Sequence, residues 1–435
     1  MSKKQAIKAI SLLWLGSILG AGCAFLTQVI LARKLGPTDF GIFSSALATI
    51  TLLTPLAGFG ISQYWLKAFG QEGWQAMRWL TGSFKFTSLS TLVVILSLVC
   101  WAMLGPHDAL TKTVLLVLTL CVFGQLVTEL VSGKLQLEER YFSLAFWQFL
   151  PHLMRLLLVV VLVYAATSFV SIQHIAYAYA AVALVLFISG AWLLLRMYHG
   201  FFALKGHNAV EIHAESSKSI VPGMFQVAAQ SWPFGLAGLF YLIYFQSDII
   251  LVKYIVGAEA AGLYNVAFTV MVAVYLLPSV IYQKFLLPKI HRWANHDKVK
   301  FYQVYRQGNL VMLILGLAAM VALWILVPWG IPFLFGIEYQ NSIFLLMILA
   351  TAAPVRFLAS SAGAVLGTKQ HIINKIYIMG FAAVLNIVLN LLLIPMLGMN
   401  GAAISTVATE TLLLIALQLY ARYRIFNDFN GNIFN

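Results

Sequence analysis

Apolar runs long enough to cross a bilayer recur along the whole chain. A helix needs about 20 such residues to span the hydrocarbon core. Runs of that kind fall near 10–32, 41–66, 80–104, 112–133, 143–165 and 174–196. A second set falls near 220–255, 260–287, 307–330, 341–364, 375–396 and 400–421. The pattern predicts an all-α polytopic membrane protein with about twelve transmembrane helices. The seventh run is long for one span and contains Pro222, Pro233 and Gly235. Proline removes a backbone donor, so a bent or broken helix is expected there. The first run follows Lys3, Lys4 and Lys8, as a signal peptide would, but continues to about Leu31 without a small-residue cleavage site. That length predicts a first span that is retained.

Composition agrees with the pattern. Of 435 residues, 61% are hydrophobic and 9% charged, where a soluble domain carries about 25% charged residues. So few charges cannot cover a water-exposed surface. The net charge of +13 does not point to nucleic acid, because the basic residues sit in short gaps between apolar runs. With the N-terminus inside, twenty of the 27 basic residues fall in inner segments. Four fall in outer loops (Arg33, Lys34, Lys112 and Lys253) and three within spans (Lys85, Arg155 and Arg356). A bias of that size is the positive-inside signature and places both termini in the cytoplasm. Trp65, Trp79, Trp101 and Trp329 lie near span ends, where interfacial anchors are expected. Cys23, Cys100 and Cys121 lie in apolar runs without disulfide or metal spacing, which predicts buried free thiols.

Two stretches repeat. Leu35-Gly36-Pro37-Thr38-Asp39-Phe40-Gly41 and Val256-Gly257-Ala258-Glu259-Ala260-Ala261-Gly262 share glycines and an acidic residue, offset by about 221 positions. Each joins the first and second span of a six-span half. A six-span unit enters and leaves on the same side, so the halves are expected to be parallel repeats with a substrate site between them. The expected division is residues 1–198, a cytoplasmic linker 199–219, and residues 220–435. The linker carries His199, His207, Glu211, His213, Glu215 and Lys218.

The segment Leu31-Ala32-Arg33-Lys34-Leu35-Gly36-Pro37-Thr38-Asp39-Phe40-Gly41 resembles the opening motif of bacterial polysaccharide (O-antigen) flippases of the Wzx type. Asp248-Ile249-Ile250-Leu251 through Gly262-Leu263-Tyr264 is similar to the matching region of that family. So are Phe335-Gly336-Ile337-Glu338-Tyr339, and Asn386, Asn390 and Ile394-Pro395-Met396-Leu397-Gly398-Met399-Asn400-Gly401. The resemblance covers essentially the whole chain. It implies the exporter superfamily that includes multidrug exporters and lipid II flippases, built as two six-helix bundles around a central cavity. It implies a substrate of undecaprenyl pyrophosphate carrying a sugar repeat unit, moved from the cytoplasmic to the periplasmic leaflet. The setting it implies is lipopolysaccharide biosynthesis in the bacterial inner membrane, with a polysaccharide polymerase and a chain-length regulator as partners.

A diphosphate and a sugar chain cross hydrocarbon only where a cavity offers cations and hydrogen bonds. Arg155, mid-span in the fifth run, can pair with phosphate oxygens through its planar fork. Lys85 and Arg356 are candidate companions in a basic lining, although a lysine or arginine near a span end also snorkels to the interface. Glu129, Asp248 and Glu410 lie in or near spans, and buried acids pair with cations or relay protons. Asp248 with Lys253 is a candidate gate or ion pair, and Asp248 or Glu410 a candidate for coupling to H+ or Na+. Tyr241, Tyr244, Tyr264 and Tyr275 could stack on sugars or simply pack. The glycine pairs Gly16/Gly20 and Gly363/Gly367 allow close helix approach, expected inside the bundle.

Enzyme signatures are missing. No G-x-x-x-x-G-K-[ST] loop or HExxH is present, and His291 and His296 have the wrong spacing for a helical zinc pair. No metal or other cofactor is expected, and the chain reads as a transporter. The basic loop of Lys284, Lys289, Arg292, Lys298 and Lys300 is expected to meet anionic lipid headgroups. A multidrug exporter of the same superfamily is the nearest alternative, and the three basic residues within spans favour an anionic substrate over it. A membrane polymerase or ligase is a further alternative, disfavoured because every outer gap is short.

Overall fold

In the computed structural model, residues 3–165, 170–205, 221–279, 282, 290, 293, 297–366 and 371–427 are described. Helix α1 (Lys3–Leu53) is 51 residues long, with one non-helical residue inside it, Gly36, at φ 72° and ψ 171°. At about 1.5 Å per residue, a helix of that length is more than twice as long as the ~30 Å hydrocarbon core. It therefore makes two passes, one on each side of Gly36. Glycine tolerates that backbone, and Pro37 starts the second limb, where its missing N–H costs nothing. The second pass is interrupted where Gly58, Phe59 and Gly60 all take positive φ, and α2 (Ile61–Glu72) completes it. Next come α3 (Arg78–Leu104), α4 (Ala109–Leu118), α5 (Cys121–Leu137), α6 (Tyr141–Ala165) and α7 (Ile172–Tyr198). The second set is α8 (Met224–Ile255), α9 (Ala258–Ser279), α10 (Lys298–Leu334), α11 (Ser342–Ala350), α12 (Ala352–Leu366), α13 (Ile372–Leu397) and α14 (Met399–Tyr420).

Ten stretches among the described residues are long and apolar enough to cross a membrane, and the first of them, Ser11–Leu104, is 94 residues long. That stretch contains the two limbs of α1, the second continued by α2, and then α3. Divided into those three passes, the set matches the twelve expected spans. Of the bent or broken helix expected for the seventh span, the break is absent, since α8 is one helix of 32 residues with Pro233 inside it. The interruptions fall in spans two, four and ten instead. Spans four and ten occupy equivalent places in the two halves, and each is interrupted at a threonine. Thr119 donates to the Leu115 carbonyl at 2.9 Å and Thr351 to that of Ile348 at 2.7 Å. Each hydroxyl adds a second donor to a carbonyl that the same residue's backbone N–H also reaches, at 3.0 and 3.1 Å respectively.

The surface is inverted relative to a soluble protein. On α3, Leu89, Leu92, Val93 and Leu96 are exposed, while Ser83, Thr87 and Thr91, spaced four apart, are buried. Lipid accepts the first face and the bundle interior holds the second. Among the expected anchors, Trp101 and Trp329 are exposed, but Trp65 is fully buried and serves packing. The three cysteines are free thiols, but of the three expected to be buried only Cys121 is; Cys23 is half-buried and Cys100 exposed. Lys284, Lys289, Arg292, His291 and His296 lie outside the described residues, as do residues 206–219 of the expected linker and Gly367.

The chain divides into two compact units. The first comprises Met1–Thr27 and Ala46–Leu242, and the second Gln28–Ser45 and Ile243–Asn435. In the first unit α5 is central. Its Gly124 lies against Ala183 of α7 and its Gly133 against Ser62 of α2. On α1, Gly16 faces Ala145 and Gly20 faces His152, both on α6. In the second unit Gly316 of α10 meets the Pro354 backbone of α12, and Ser342 donates to the Leu263 carbonyl at 2.8 Å.

The internal repeat is visible as a contact within the second unit. A Cβ on Gly41 would overlap the Ala258 carbonyl oxygen, and one on Gly262 would overlap the Pro37 carbonyl oxygen. Residues 37 and 258, and residues 41 and 262, are each related by the 221-residue offset. The contact is thus reciprocal, as across a two-fold axis. It is a small-xxx-small crossing, in which glycine lets two backbones touch. The equivalent glycines Gly36 and Gly257 both take positive φ, 72° and 137°. Beside them, Tyr339 donates to the Ala32 carbonyl at 2.9 Å and Arg33 to that of Phe333. Gly41→Ala and Gly262→Ala are expected to cost about 1–3 kcal/mol each through overpacking. Because both enter one contact, the double variant should lose less than the sum. Thermal unfolding of the purified variants checks this, and additive losses would show two independent sites.

Candidate functional site

Inside the first unit lies a cavity of about 500 Å³, lined by residues of α1, α2, α5, α6 and α7. Its polar lining follows helix geometry. Gln125, Glu129, Ser132 and Gln136 are spaced 4, 3 and 4 apart on α5, which sets them on one face. On α6, Gln148, His152 and Arg155 repeat the 4 and 3 spacing. Ser62 and Gln63 of α2, Thr51 of α1 and Thr128 of α5 complete the polar wall. Arg155, within α6, is one of the residues that line this polar space. Its guanidinium lies 4.9 Å from the Tyr179 ring centre, a cation–π distance. Its Nε is buried and meets no acceptor among the described residues. Glu129 is exposed to this internal space, and its Oε1 accepts a 2.6 Å hydrogen bond from Ser62. Lys85 is exposed on α3 and is not part of the cavity wall.

The other candidates lie in the second unit. Arg356 donates to Glu410 at 3.0 Å, with the two side chains 18% and 1% exposed. The Phe245, Tyr275 and Tyr244 rings surround that guanidinium at 5.0, 5.6 and 5.9 Å. Arg356 is thus already charge-paired and boxed by aromatics, unlike Arg155. The sequence expected Lys85, Arg155 and Arg356 in one lining. Only Arg155 reaches the cavity of the first unit, and Arg356 belongs to the second unit.

Asp248 is buried and held by neutral donors alone among the described residues. Asn390 donates to its Oδ1 at 2.6 Å, and Tyr264 and Thr406 donate to its Oδ2 at 2.7 and 2.5 Å. Asn386 extends the cluster, accepting from Asn390 at 3.1 Å and from Ser247 at 3.0 Å. Lys253 is not among these partners and lies 5.2 Å from the Tyr254 ring. The Asn390 Oδ1 and Glu410 Oε2 atoms are buried without a hydrogen-bond partner among the described residues. Of the candidate tyrosines, Tyr244 and Tyr275 flank Arg356, Tyr264 serves Asp248, and Tyr241 is exposed.

The sequence reading missed the four glutamines, His152, and the Asn386–Thr406 side of the Asp248 cluster. The signal was present. Polar residues at helical spacing inside an apolar run mark one inward face, and α5 and α6 both carry it. Among the described residues no group of histidine, cysteine and acidic side chains could hold a metal ion.

Residues 6–293 match the family described as polysaccharide biosynthesis protein. An uncharacterized membrane protein of Methanocaldococcus jannaschii is 23% identical over 91% of this chain and 93% of its own length. A probable low-salt glycan biosynthesis flippase of Haloferax volcanii is 22% identical over 91% of this chain and 79% of its own. Among solved structures, the lipid II flippase MurJ in an inward closed conformation aligns with a TM-score of 0.72 at 12% identity, over 98% of this chain and 93% of that one. An inward-facing multidrug transporter of the MATE family aligns at 0.70 and 14% identity, over 98% and 99%. At these identities the structural matches establish the fold alone, that of an all-α polytopic membrane protein. The family match spans well over half of the sequence, and the chain belongs to the polysaccharide biosynthesis protein family.

Proposed function

We propose that the protein is a flippase for a lipid-linked glycan, taking undecaprenyl-pyrophosphate-linked oligosaccharide repeat units from the cytoplasmic to the periplasmic leaflet of the bacterial inner membrane. The observation that carries this reading is the cavity of the first unit. Glutamine amides, hydroxyls and Arg155 face it, and a hydrated sugar and a phosphate need such partners within hydrocarbon. The family and the Haloferax flippase support the same cargo class. The likeness to a multidrug exporter concerns the fold alone. Four amides and an arginine whose Nε lacks an acceptor among the described residues suit a hydroxyl-rich, anionic lipid better than an organic cation.

In this reading the chain works as two six-span halves, 1–198 and 220–435, joined by the 199–219 linker. Access alternates by rocking of one half against the other. The protein is a transporter and not an enzyme, and both termini are cytoplasmic. O-antigen and lipopolysaccharide synthesis is the pathway, with a polymerase and a chain-length regulator downstream. Arg155 is the phosphate contact, while Lys85 sits toward the headgroups. The Asp248 cluster is the coupling site. Among the described residues its buried carboxylate is held by neutral side chains only, which suits occupancy by a proton or a sodium ion. Glu410 and Arg356 form a second, pre-neutralised pair beside it, and Lys253 stays a gating candidate.

Three outcomes test this. Arg155→Ala, in a strain lacking its own flippase, should fail to restore surface polysaccharide, with Arg155→Lys partly active because one charge survives without the planar fork. Full restoration by Arg155→Ala removes it as a substrate contact. In proteoliposomes, transport should rise with an imposed proton or sodium gradient, and Asp248→Asn should abolish that response. Indifference of the wild type to both gradients rules out coupling. Reporter fusions at both termini should read cytoplasmic, and a periplasmic reading at either end breaks the twelve-span topology.

A further inference from the structure

We infer that Glu129 makes the cavity of the first unit selective for neutral glycans over acidic ones. The inference rests on the flippase reading and names the class of sugar it handles. The wall carries amides on three faces, from Gln63 on α2, Gln125 and Gln136 on α5, and Gln148 on α6. Each amide presents a donor and an acceptor together, the combination that a sugar hydroxyl also offers. Among the described residues three titratable side chains stand on that wall: Arg155, His152 and Glu129.

Glu129 is the sole acid among them. It sits in the middle of α5 (Cys121–Leu137), is open to the cavity, and has Ser62 as its hydrogen-bond partner at 2.6 Å. No lysine or arginine lies within ion-pair distance of it among the described residues. The cation of the same cavity, Arg155, is stacked on Tyr179 at 4.9 Å. The contrast with the second unit is direct, because Glu410 there is neutralised by Arg356 at 3.0 Å. Open to the cavity and without a counter-ion among the described residues, the Glu129 carboxylate faces at short range whatever enters, and like-charge repulsion there is stronger than in bulk water. A uronate brought beside it meets like-charge repulsion, while neutral hydroxyls meet only hydrogen-bonding groups. Discrimination of this kind comes from a repulsive element aimed at the wrong ligand.

The test uses the full-length protein in proteoliposomes and two probes. One is undecaprenyl diphosphate bearing a neutral disaccharide, and the other carries a uronate as the terminal sugar. The wild type should move the neutral probe at least about tenfold faster than the acidic one, the scale that like-charge juxtaposition reaches. In Glu129→Gln the acidic-to-neutral ratio should rise by about tenfold, and Glu129→Asp should keep the wild-type ratio. Equal rates for both probes in the wild type, or an unchanged ratio in Glu129→Gln, overturns the selectivity role and leaves the flippase reading standing. A wild type that moves neither probe takes down both. If Glu129→Gln moves neither, equilibrium binding of the two probes to the purified variant decides. Loss of the neutral preference supports the role, and its retention overturns it.

Discussion

A polar or charged side chain inside hydrocarbon needs a partner of its own, because no water is there to supply one. That constraint orders the structure. Apolar residues of α3 face outward and its serine and threonines inward. The intraspan charges sort in the same way. Arg356 has Glu410, and Asp248 has three neutral donors. Arg155 and Glu129 instead border internal space large enough to hold a ligand. The first two sites look inward to the protein, and the last pair looks to whatever enters.

Backbone placement follows from a second, steric constraint. A small-residue crossing needs glycine at both members when the two backbones meet carbonyl to Cα. Gly41 and Gly262 satisfy this reciprocally, and Gly36 and Gly257 supply the positive-φ turns just before them. The repeat therefore conserves a geometry that only glycine permits, within two stretches whose other residues differ.

The spans, their number and the repeat were legible in the sequence because length, hydropathy and charge bias are local signals. The helix breaks were less so. Pro233 looked like a breaker, yet α8 absorbs it, while the interruptions at Thr119 and Thr351 carry no proline or glycine. Threonine hydroxyls that cap a carbonyl do not differ in sequence from those that merely pack. Arg155 stood out as a lone charge mid-span. Its glutamine neighbours did not, because they gather from α2, α5 and α6 and only folding brings them together. The pairing of Asp248 with Asn390 and Thr406 spans 142 and 158 residues, a distance that no spacing rule bridges.

The central claim is that the first unit holds a wet, ligand-accepting cavity within the membrane while the Asp248 cluster is closed. Thiol accessibility measures that difference directly. With Cys23, Cys100 and Cys121 replaced by serine or alanine, Gln125→Cys and Asn386→Cys would each be reacted with a membrane-impermeant thiol reagent. The expected result is rapid labelling at position 125, slowed by added lipid-linked oligosaccharide, and little labelling at position 386. An inert thiol at position 125, or labelling that the lipid leaves unchanged, would contradict the claim.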